Sequence, residues 1–331
     1  MAIDVRRRKF MAVLSGALVG RAIPAYAQQA ARKYTVGVLL GLANDAETQA
    51  RITAFERGLE AEGWSVGKNL WIEYRFTGGD SNTMRERAKE LAELKPDCIL
   101  GHSTPVVRAL MQATRTIAIV FVSVSDPIGS GFVASMARPG GNMTGFTIFP
   151  ATITGKYLSM LKEMMPQLAR VAILYNADYA GSFFLSPLVG AAREFKVQPI
   201  TAQVRNPAEI ESAIAKLGRE PKSGLIVMPD NFTSVHRKLI ISLAAQFRIP
   251  TIYPYRYFAE EGGLLSYGVD TTDLFRRASE YVSRILRGAK LADLPVRVPT
   301  KFELVINLRT AKALDIVIPK ILGAGVDQVI E

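Results

Sequence analysis

The chain has 331 residues, of which 49% are hydrophobic and 21% are charged, and this balance excludes a disordered protein. The formal net charge is +11, but basic and acidic residues alternate along the predicted helices, as in 85–87. This pattern excludes the basic stripe with interleaved aromatic residues that nucleic-acid binding uses. A single cysteine, Cys98, excludes an intramolecular disulfide, and its apolar neighbours indicate a buried structural thiol.

Residues 1–27 predict a secretory signal peptide. Residues 6–9 are basic, residues 10–23 form a short apolar stretch, and Ala25-Tyr26-Ala27 supplies small residues for cleavage. The stretch is shorter than the ~20 apolar residues that a membrane-spanning helix needs. An ordinary amphipathic helix is the alternative. Because Arg7 and Arg8 match the twin-arginine motif only in part, both the Sec and the twin-arginine export routes stay open, and we expect a periplasmic protein.

Beyond residue 27, short β-branched runs alternate with helical patterns. In a first series, strands are predicted at 34–40, 70–76, 97–100, 117–124 and 142–148. The helices of this series are predicted at 47–63, 82–94, 105–114 and, as a short one, near 132–136.

The pattern then restarts. Helices are predicted at 155–165, 183–195, 207–217, 233–247 and 273–287, with a final helical segment near the end. Strands are predicted at 170–175, 197–204, 224–228, 251–253, 264–267 and 302–308. Alternating strands and helices indicate parallel sheets covered on both faces, so the fold class is α/β with two Rossmann-like lobes. Short connections between the lobes would suit hinge closure around a ligand.

Enzyme signals are weak. The only histidines, His102 and His236, lack metal-ligand spacing, and no nucleophile elbow, P-loop or dinucleotide fingerprint occurs. We therefore expect no catalytic residues, no metal and no cofactor.

Polar residues instead follow the predicted strands. In open parallel sheets, ligands bind in the crevice beyond the carboxyl ends of the strands, where helix N-termini attract anions. The candidate ligand-binding residues are Asn44, Ser103, Thr104, Ser125, Asp126, Asn176, Tyr179, Asp230, Asn231, Tyr253 and Tyr255. Each polar residue has an alternative role as a helix cap, and the tyrosines have one in packing. Taken together, they predict a cleft for a small molecule with a charged head.

Several segments resemble the ABC transporter substrate-binding family that includes tryptophan- and tyrosine-binding lipoproteins. The most specific are Pro139-Gly140-Gly141-Asn142-Met143-Thr144-Gly145 and Gly262-Gly263-Leu264-Leu265-Ser266-Tyr267-Gly268. The others are 58–64 with 67–69, 120–127, 131–138, 249–250 with 253–254, and 299–307. The resemblance covers essentially the whole chain beyond the signal. Many relatives carry a lipid-anchoring cysteine, which this chain lacks, so a freely diffusing protein is expected.

The resemblance implies a type I periplasmic-binding-protein fold with three crossings between lobes. An N-terminal lobe is expected at 30–146 with 270–298, and a C-terminal lobe at 147–269 with 299–331. The family's site lies between lobes, which carries over Ser103, Thr104, Ser125 and Asp126 from the first lobe and Asn176, Asp230 and Tyr253 from the second. A carboxylate would bind near Thr104 and Ser125, and an ammonium group would face Asp126 or Asp230.

The implied function is that of a solute receptor for an ABC importer. Its partners would be an amino acid or another carboxylate-bearing solute and a membrane permease, and the protein would be a monomer. A ligand-sensing subunit of a signalling receptor is an alternative on the same fold. An exported α/β enzyme with Asp126 or Asp230 as general base is another. A sugar-responsive repressor would need a DNA-binding headpiece where the export signal lies.

Overall fold

The computed structural model describes residues 32–176, 181–323 and 325–331. The predicted signal peptide and Tyr179 lie outside these residues. Residues 33–331 belong to one compact unit. No helix in the described ranges is long and apolar enough to cross a membrane.

The first half of the chain builds a parallel sheet. Its strands are β1 (Tyr34–Leu40), β2 (Leu70–Phe76), β3 (Cys98–His102), β4 (Ala118–Val124) and β5 (Met143–Thr147). The helices are α1 (Ala46–Ala61), α2 (Ser81–Glu93) and α3 (Thr104–Ala113). The order β2-β1-β3-β4-β5, with parallel pairing throughout, defines what we call the first sheet. Every residue of β3 is buried, because helices cover both faces of a central parallel strand.

The second half builds a larger sheet. Its strands are β6 (Arg170–Asn176), β7 (Gln198–Val204), β8 (Ser223–Val227), β9 (Thr251–Tyr253), β10 (Leu265–Val269), β11 (Phe302–Asn307) and β12 (Gln328–Ile330). The helices are α4 (Ile153–Met164), α5 (Gly181–Glu194), α6 (Pro207–Gly218), α7 (Asn231–Val235), α8 (Arg237–Gln246), α9 (Arg256–Glu260), α10 (Thr271–Leu286), α11 (Leu308–Ala313) and α12 (Lys320–Gly323). The order β12-β11-β10-β9-β8-β6-β7 defines the second sheet. It is parallel except where β10 pairs antiparallel with β11.

The described chain passes between the two sheets three times: after β5, between β10 and α10, and before β11. Helix α10 returns to the first sheet, where the Trp64 indole N–H donates to Ser283 Oγ at 3.0 Å. The chain stays there until Arg297, whose backbone N–H donates to the Gly145 carbonyl at 2.9 Å. The predicted α/β class with two lobes and three crossings is confirmed.

A glycine lets α10 lie close against α1. A Cβ built on Gly58 would be 2.1 Å from Ser279 Oγ and 3.0 Å from the Arg276 carbonyl oxygen. Only a residue without a side chain permits this approach.

Two predicted helices differ from the structure. The helix near 132–136 is wrong: this segment forms turns, because the Phe132 N–H donates to the Pro127 carbonyl and the Ala134 N–H donates forward to Pro139. The helix predicted at 233–247 is divided into α7 and α8 at His236.

Candidate functional site

The two sheets touch at the carboxyl ends of β3 and β8. The Asn231 amide Nδ2, just after β8, donates to Ser103 Oγ, just after β3, at 2.7 Å, and both side chains are buried. Gly41, which follows β1, lies against the same amide, because a Cβ built there would be 1.8 Å from Asn231 Nδ2. The edges of the two sheets are therefore in direct contact.

The backbone is strained where β3 and β4 end. Ser103 has φ +85° and Ser123 has φ +59°, a left-handed conformation that costs a non-glycine residue of order 1–3 kcal/mol and clusters at functional sites. The Ser103 side chain makes no hydrogen bond to the N-terminus of α3, so its hydroxyl is free to meet Asn231. The next residue, Thr104, accepts the backbone N–H of Ser125 at its Oγ1, at 3.3 Å.

Buried polar atoms without a hydrogen-bond partner cluster along this edge. In the described part of the chain they are Thr48 Oγ1, Thr77 Oγ1, His102 Nδ1, Ser123 Oγ, Ser125 Oγ and Ser266 Oγ. Thr77, His102, Ser123 and Ser125 lie at or just beyond the carboxyl end of a first-sheet strand, and Thr48 lies in the first turn of α1, the helix that follows β1. An unsatisfied buried polar group costs about 1–3 kcal/mol. Such a concentration is therefore typical of a surface that binds a polar ligand.

Asp230 holds the facing loop of the second sheet. Its Oδ1 accepts the Thr233 N–H at 2.6 Å, as the cap of α7, and its Oδ2 accepts the Asn176 N–H at 2.9 Å. Burial raises the pKa of Asp230 to about 6, although these N–H groups oppose the rise. With both oxygens occupied, Asp230 positions Asn231 for its contact with the first sheet.

Aromatic rings form a row beneath the contact. Ring centroids are 6.2 Å apart for Phe302 and Phe149, 6.3 Å for Phe149 and Tyr255, and 5.3 Å for Tyr255 and Tyr257. Tyr253 is 1% exposed, and its ring stacks on Phe258, which in turn stacks on Tyr255 and Tyr257 of the row.

A mostly apolar cavity of about 350 Å³ lies at the Phe302 end of the row, beside the crossings. We call it the hinge-side cavity. Its lining includes Ser125, Asp126, Thr147, Phe149, Phe183 and Phe302. Asp126 accepts the Gly129 N–H at its Oδ1 at 2.8 Å, which stabilises the turn after β4.

A second cavity, of about 410 Å³, lies at the Tyr257 end of the row, between α1 and α8. We call it the Arg51 cavity. The guanidinium carbons of Arg51 and Arg237 lie 5.5 and 5.4 Å from the centroid of the Tyr257 ring. Arg237 also pairs with Asp45 across the two sheets, at 3.2 Å, and with Glu261 at 2.7 Å.

The histidines and the cysteine do not form reactive sites. Burial, together with the charge of Arg51, lowers the pKa of His102 to about 3, so its imidazole is neutral. Burial raises the pKa of Cys98 to about 12, which keeps it a thiol. No group of three His, Cys, Asp or Glu side chains in the described ranges could hold a metal ion.

Most of the predicted residues lie near the sheet contact. Ser103, Thr104, Ser125, Asn176, Asp230 and Asn231 line the two facing edges, Asp126 lines the hinge-side cavity, and Tyr255 belongs to the aromatic row. Asn44 is exposed and accepts a hydrogen bond from Gln49.

The sequence prediction missed Thr48 and Arg51, which line the Arg51 cavity. Thr48 and Arg51 lie on the buried face of α1 together with Ile52 and Phe55. A charged residue three places after a threonine, on a helix face that is otherwise apolar, is the signal that could have revealed them.

Comparisons with known proteins find matches over most of the chain. A family described as ABC transporter substrate binding protein matches residues 35–330. A tyrosine-binding protein of Clostridioides difficile is 28% identical over 263 residues, covering 79% of this chain and 75% of the relative.

Two solved structures share the fold. An ABC domain from Streptococcus pneumoniae in complex with L-Trp has a TM-score of 0.83 and 25% identity, over 90% of this chain and 100% of that one. The ligand-free, open structure of a substrate-binding protein with adhesive properties from Clostridium difficile has a TM-score of 0.66 and 26% identity, over 90% and 99%.

Proposed function

The chain belongs to the family of ABC transporter substrate-binding proteins, and from that premise we propose that it binds an aromatic amino acid between its two sheets and delivers it to an importer. The unpartnered buried hydroxyls along the carboxyl edge of the first sheet are the observation that carries this proposal. A bound polar solute would satisfy them and so recover the free energy that their burial costs.

The hinge-side cavity supports an aromatic ligand. Its volume of about 350 Å³ is lined by Phe149, Phe183 and Phe302 and, among polar residues, by Ser125. Apolar walls with a few placed polar groups are typical of small-molecule sites, and stacked or edge-on rings favour an aromatic side chain. The relative named for tyrosine and the similar structure with bound L-Trp support the same class of solute.

Hinge closure is the mechanism we propose for capture. The Ser103–Asn231 hydrogen bond and the Asp45–Arg237 ion pair both join the two sheets, so they would form only when the cleft closes. This structure is more similar to the L-Trp complex than to the open, ligand-free relative, although the two are about equally identical in sequence. That difference supports a closed conformation.

Delivery follows from closure. A closed protein would present residues 30–146 with 270–298 and residues 147–269 with 299–331 as two lobes to the membrane permease. We propose that this happens in the periplasm, after export of a monomer directed by residues 1–27.

A thermal-shift screen tests the proposal. A ligand at 100 times its Kd stabilises the folded state by about 2.7 kcal/mol, so L-tryptophan, L-tyrosine or L-phenylalanine should raise the Tm while a hexose leaves it unchanged. Ser125→Ala should weaken binding roughly three- to tenfold, since a lost hydrogen bond costs about 0.5–1.5 kcal/mol. Ser212→Ala, on the exposed surface of α6, is the matched control. The absence of a shift with all proteinogenic amino acids would refute the proposal.

A further inference from the structure

We infer that Arg51 and Thr48 form a carboxylate-binding subsite in the Arg51 cavity, at the opposite end of the aromatic row from the hinge-side cavity. The occupant is a carboxylate carried by the bound solute or by a separate small acid. If the carboxylate belongs to the bound solute, the inference rests on the proposed function. If it belongs to a separate small acid, the inference does not depend on that function.

The first observation is a buried cation that forms no ion pair, although the Asp45 carboxylate lies close enough to feel its charge. Arg51 is 3% exposed, and a guanidinium carries a positive charge in proteins. No carboxylate in the described ranges forms an ion pair with it, whereas the neighbouring Arg237 has two. Burial of an uncompensated charge is costly, so a counter-anion would stabilise the folded protein.

The second observation is that part of the guanidinium fork is uncommitted. Arg51 Nε donates to Thr271 Oγ1 at 3.1 Å, which fixes the side chain, and the Tyr257 ring lies against the guanidinium. The Tyr257 hydroxyl also accepts a hydrogen bond from the guanidinium, which leaves further terminal N–H groups of this five-donor fork for a ligand. A fixed guanidinium with free terminal N–H groups matches the two oxygens of a carboxylate.

The third observation is an unpartnered hydroxyl beside the cation. Thr48 Oγ1 is buried, 1% exposed for the whole residue, and lacks a hydrogen-bond partner. It precedes Arg51 by three positions on α1, a spacing that places two side chains next to each other on one face of a helix. Both side chains line the Arg51 cavity.

Charge in the cavity favours a single negative group. The cationic side chains of the lining are Arg51, Arg237 and Lys238, and its carboxylates are Asp45 and Glu47. His236 also lines it, and burial lowers the pKa of that imidazole, so it adds no charge at neutral pH. Asp45 and Glu261 both pair with Arg237 and leave Arg51 without an ion pair of its own, so a singly charged carboxylate suits the site better than a doubly charged phosphate.

The polar groups at the β3 and β4 ends offer less to a carboxylate. The Ser125 backbone N–H, an expected donor to it, already donates to Thr104 Oγ1. The Asn231 amide donates to Ser103. Arg51 is therefore the better placed donor, with the aromatic row leading from it toward the hinge-side cavity.

The experiment compares an acid with its amide in the purified protein. L-Tryptophan and L-tryptophanamide differ only in the carboxylate, and sodium acetate probes the subsite without an amino acid. The proteins are wild type, Arg51→Met, Thr48→Val and, as the matched control, Arg57→Met on the exposed face of α1. Calorimetry gives the Kd values, and the Tm in acetate is referred to that of Arg57→Met so that general salt effects cancel.

If the solute carries the carboxylate, wild type prefers the acid over the amide by roughly 10- to 100-fold, as expected of charge-assisted hydrogen bonds. Arg51→Met abolishes that preference, Thr48→Val reduces it, and Arg57→Met retains it. If a separate acid is the source, acetate alone raises the Tm of wild type but not of Arg51→Met, and the acid and the amide bind equally.

The inference would be wrong if Arg51→Met kept the wild-type preference for L-tryptophan over its amide and the wild-type Tm shift in acetate. If Arg51→Met does not fold, an unchanged response of Thr48→Val to both probes has the same meaning. If no amino acid binds, the result counts against the proposed function. The subsite is then tested by the effect of acetate on the Tm of wild type and of Arg51→Met.

Discussion

Gly41 lies where the two sheets come closest. Since a Cβ there would be 1.8 Å from Asn231 Nδ2 and 3.0 Å from Ser103 Oγ, Gly41→Ala should displace the Asn231 amide and break its hydrogen bond to Ser103. We expect it to weaken amino-acid binding at least tenfold, about 1.4 kcal/mol, while the Tm of the ligand-free protein changes little. Calorimetry and a thermal melt measure the two effects.

Asn231→Ala provides the control for this clash. It removes the amide that alanine at position 41 would meet, so the double variant should bind no worse than Asn231→Ala alone, a strong non-additivity between contacting residues. Additive losses would mean that Gly41 acts by some other route than the contact between the sheets.

Asp230 makes stability depend on pH. Burial raises its pKa from 3.8 to about 6 in the folded protein, so between these values the folded state binds more protons than the unfolded state. Stability from this group is therefore greatest below pH 4 and falls as the pH rises through 6. Each pKa unit of difference between the folded and the unfolded state changes the free energy of unfolding by about 1.4 kcal/mol.

Asp230→Asn isolates that contribution. The amide retains a cap oxygen for Thr233 but cannot ionise, so the free energy of unfolding of wild type relative to this variant should decrease by about 1–3 kcal/mol between pH 4 and pH 7. Urea titrations at both pH values provide the measurement. Parallel pH profiles would show that Asp230 is not buried as a titrating group.

At the scale of elements, the packing of α10 on α1 depends on Gly58. Alanine is favoured over glycine within a helix by about 1 kcal/mol, but the contact with Ser279 and the Arg276 carbonyl leaves no room for it. We expect Gly58→Ala to destabilise the protein by about 1–3 kcal/mol, as overpacking does. The urea midpoint measures this.

Gly190→Ala is the matched control, because nothing lies within 4 Å of a Cβ built on Gly190 in α5. It should stabilise slightly. If both substitutions moved the midpoint upward, the close approach of α1 and α10 would be disproved.

Strands and most helices were predictable because their signals are local. Runs such as Ala118–Val124 carry the β-branched residues of a buried strand, and polar residues after such strands fall at one sheet edge by topology alone. The turns at 132–136 were not predictable, because they depend on hydrogen bonds to the carbonyls of Pro127 and Pro139.

The site itself was only partly predictable. The contact between Ser103 and Asn231 joins residues 128 positions apart. The periodicity of hydrophobic residues predicts local helices and strands, so it cannot predict a contact between residues so far apart in sequence. Tyr253 and Tyr255 have the same residue type, are two positions apart and are both buried, yet the Tyr255 ring packs against Phe149 in the row while the Tyr253 ring stacks on Phe258. The strand β9 ends at Tyr253, so the surroundings of Tyr255 depend on the neighbouring elements rather than on strand alternation.

At the scale of the whole molecule, the two sheets are joined by three crossings and by polar contacts at their facing edges. Connections of this kind permit rotation about the crossings, and the edge contacts would then form or break together. The aromatic row, the hinge-side cavity and the Arg51 cavity all lie along the boundary between the two sheets. Binding and closure should thus be a single coupled event, in which the solute favours the closed state by its differential affinity.

Small-angle X-ray scattering tests this central claim most directly. The measurement compares the radius of gyration of the ligand-free protein with that of the protein saturated with the amino acid giving the largest thermal shift. The account predicts a smaller radius on saturation for wild type and no decrease for Gly41→Ala at matched occupancy. An unchanged radius in wild type, with binding proven by calorimetry, would contradict capture by closure of the two sheets.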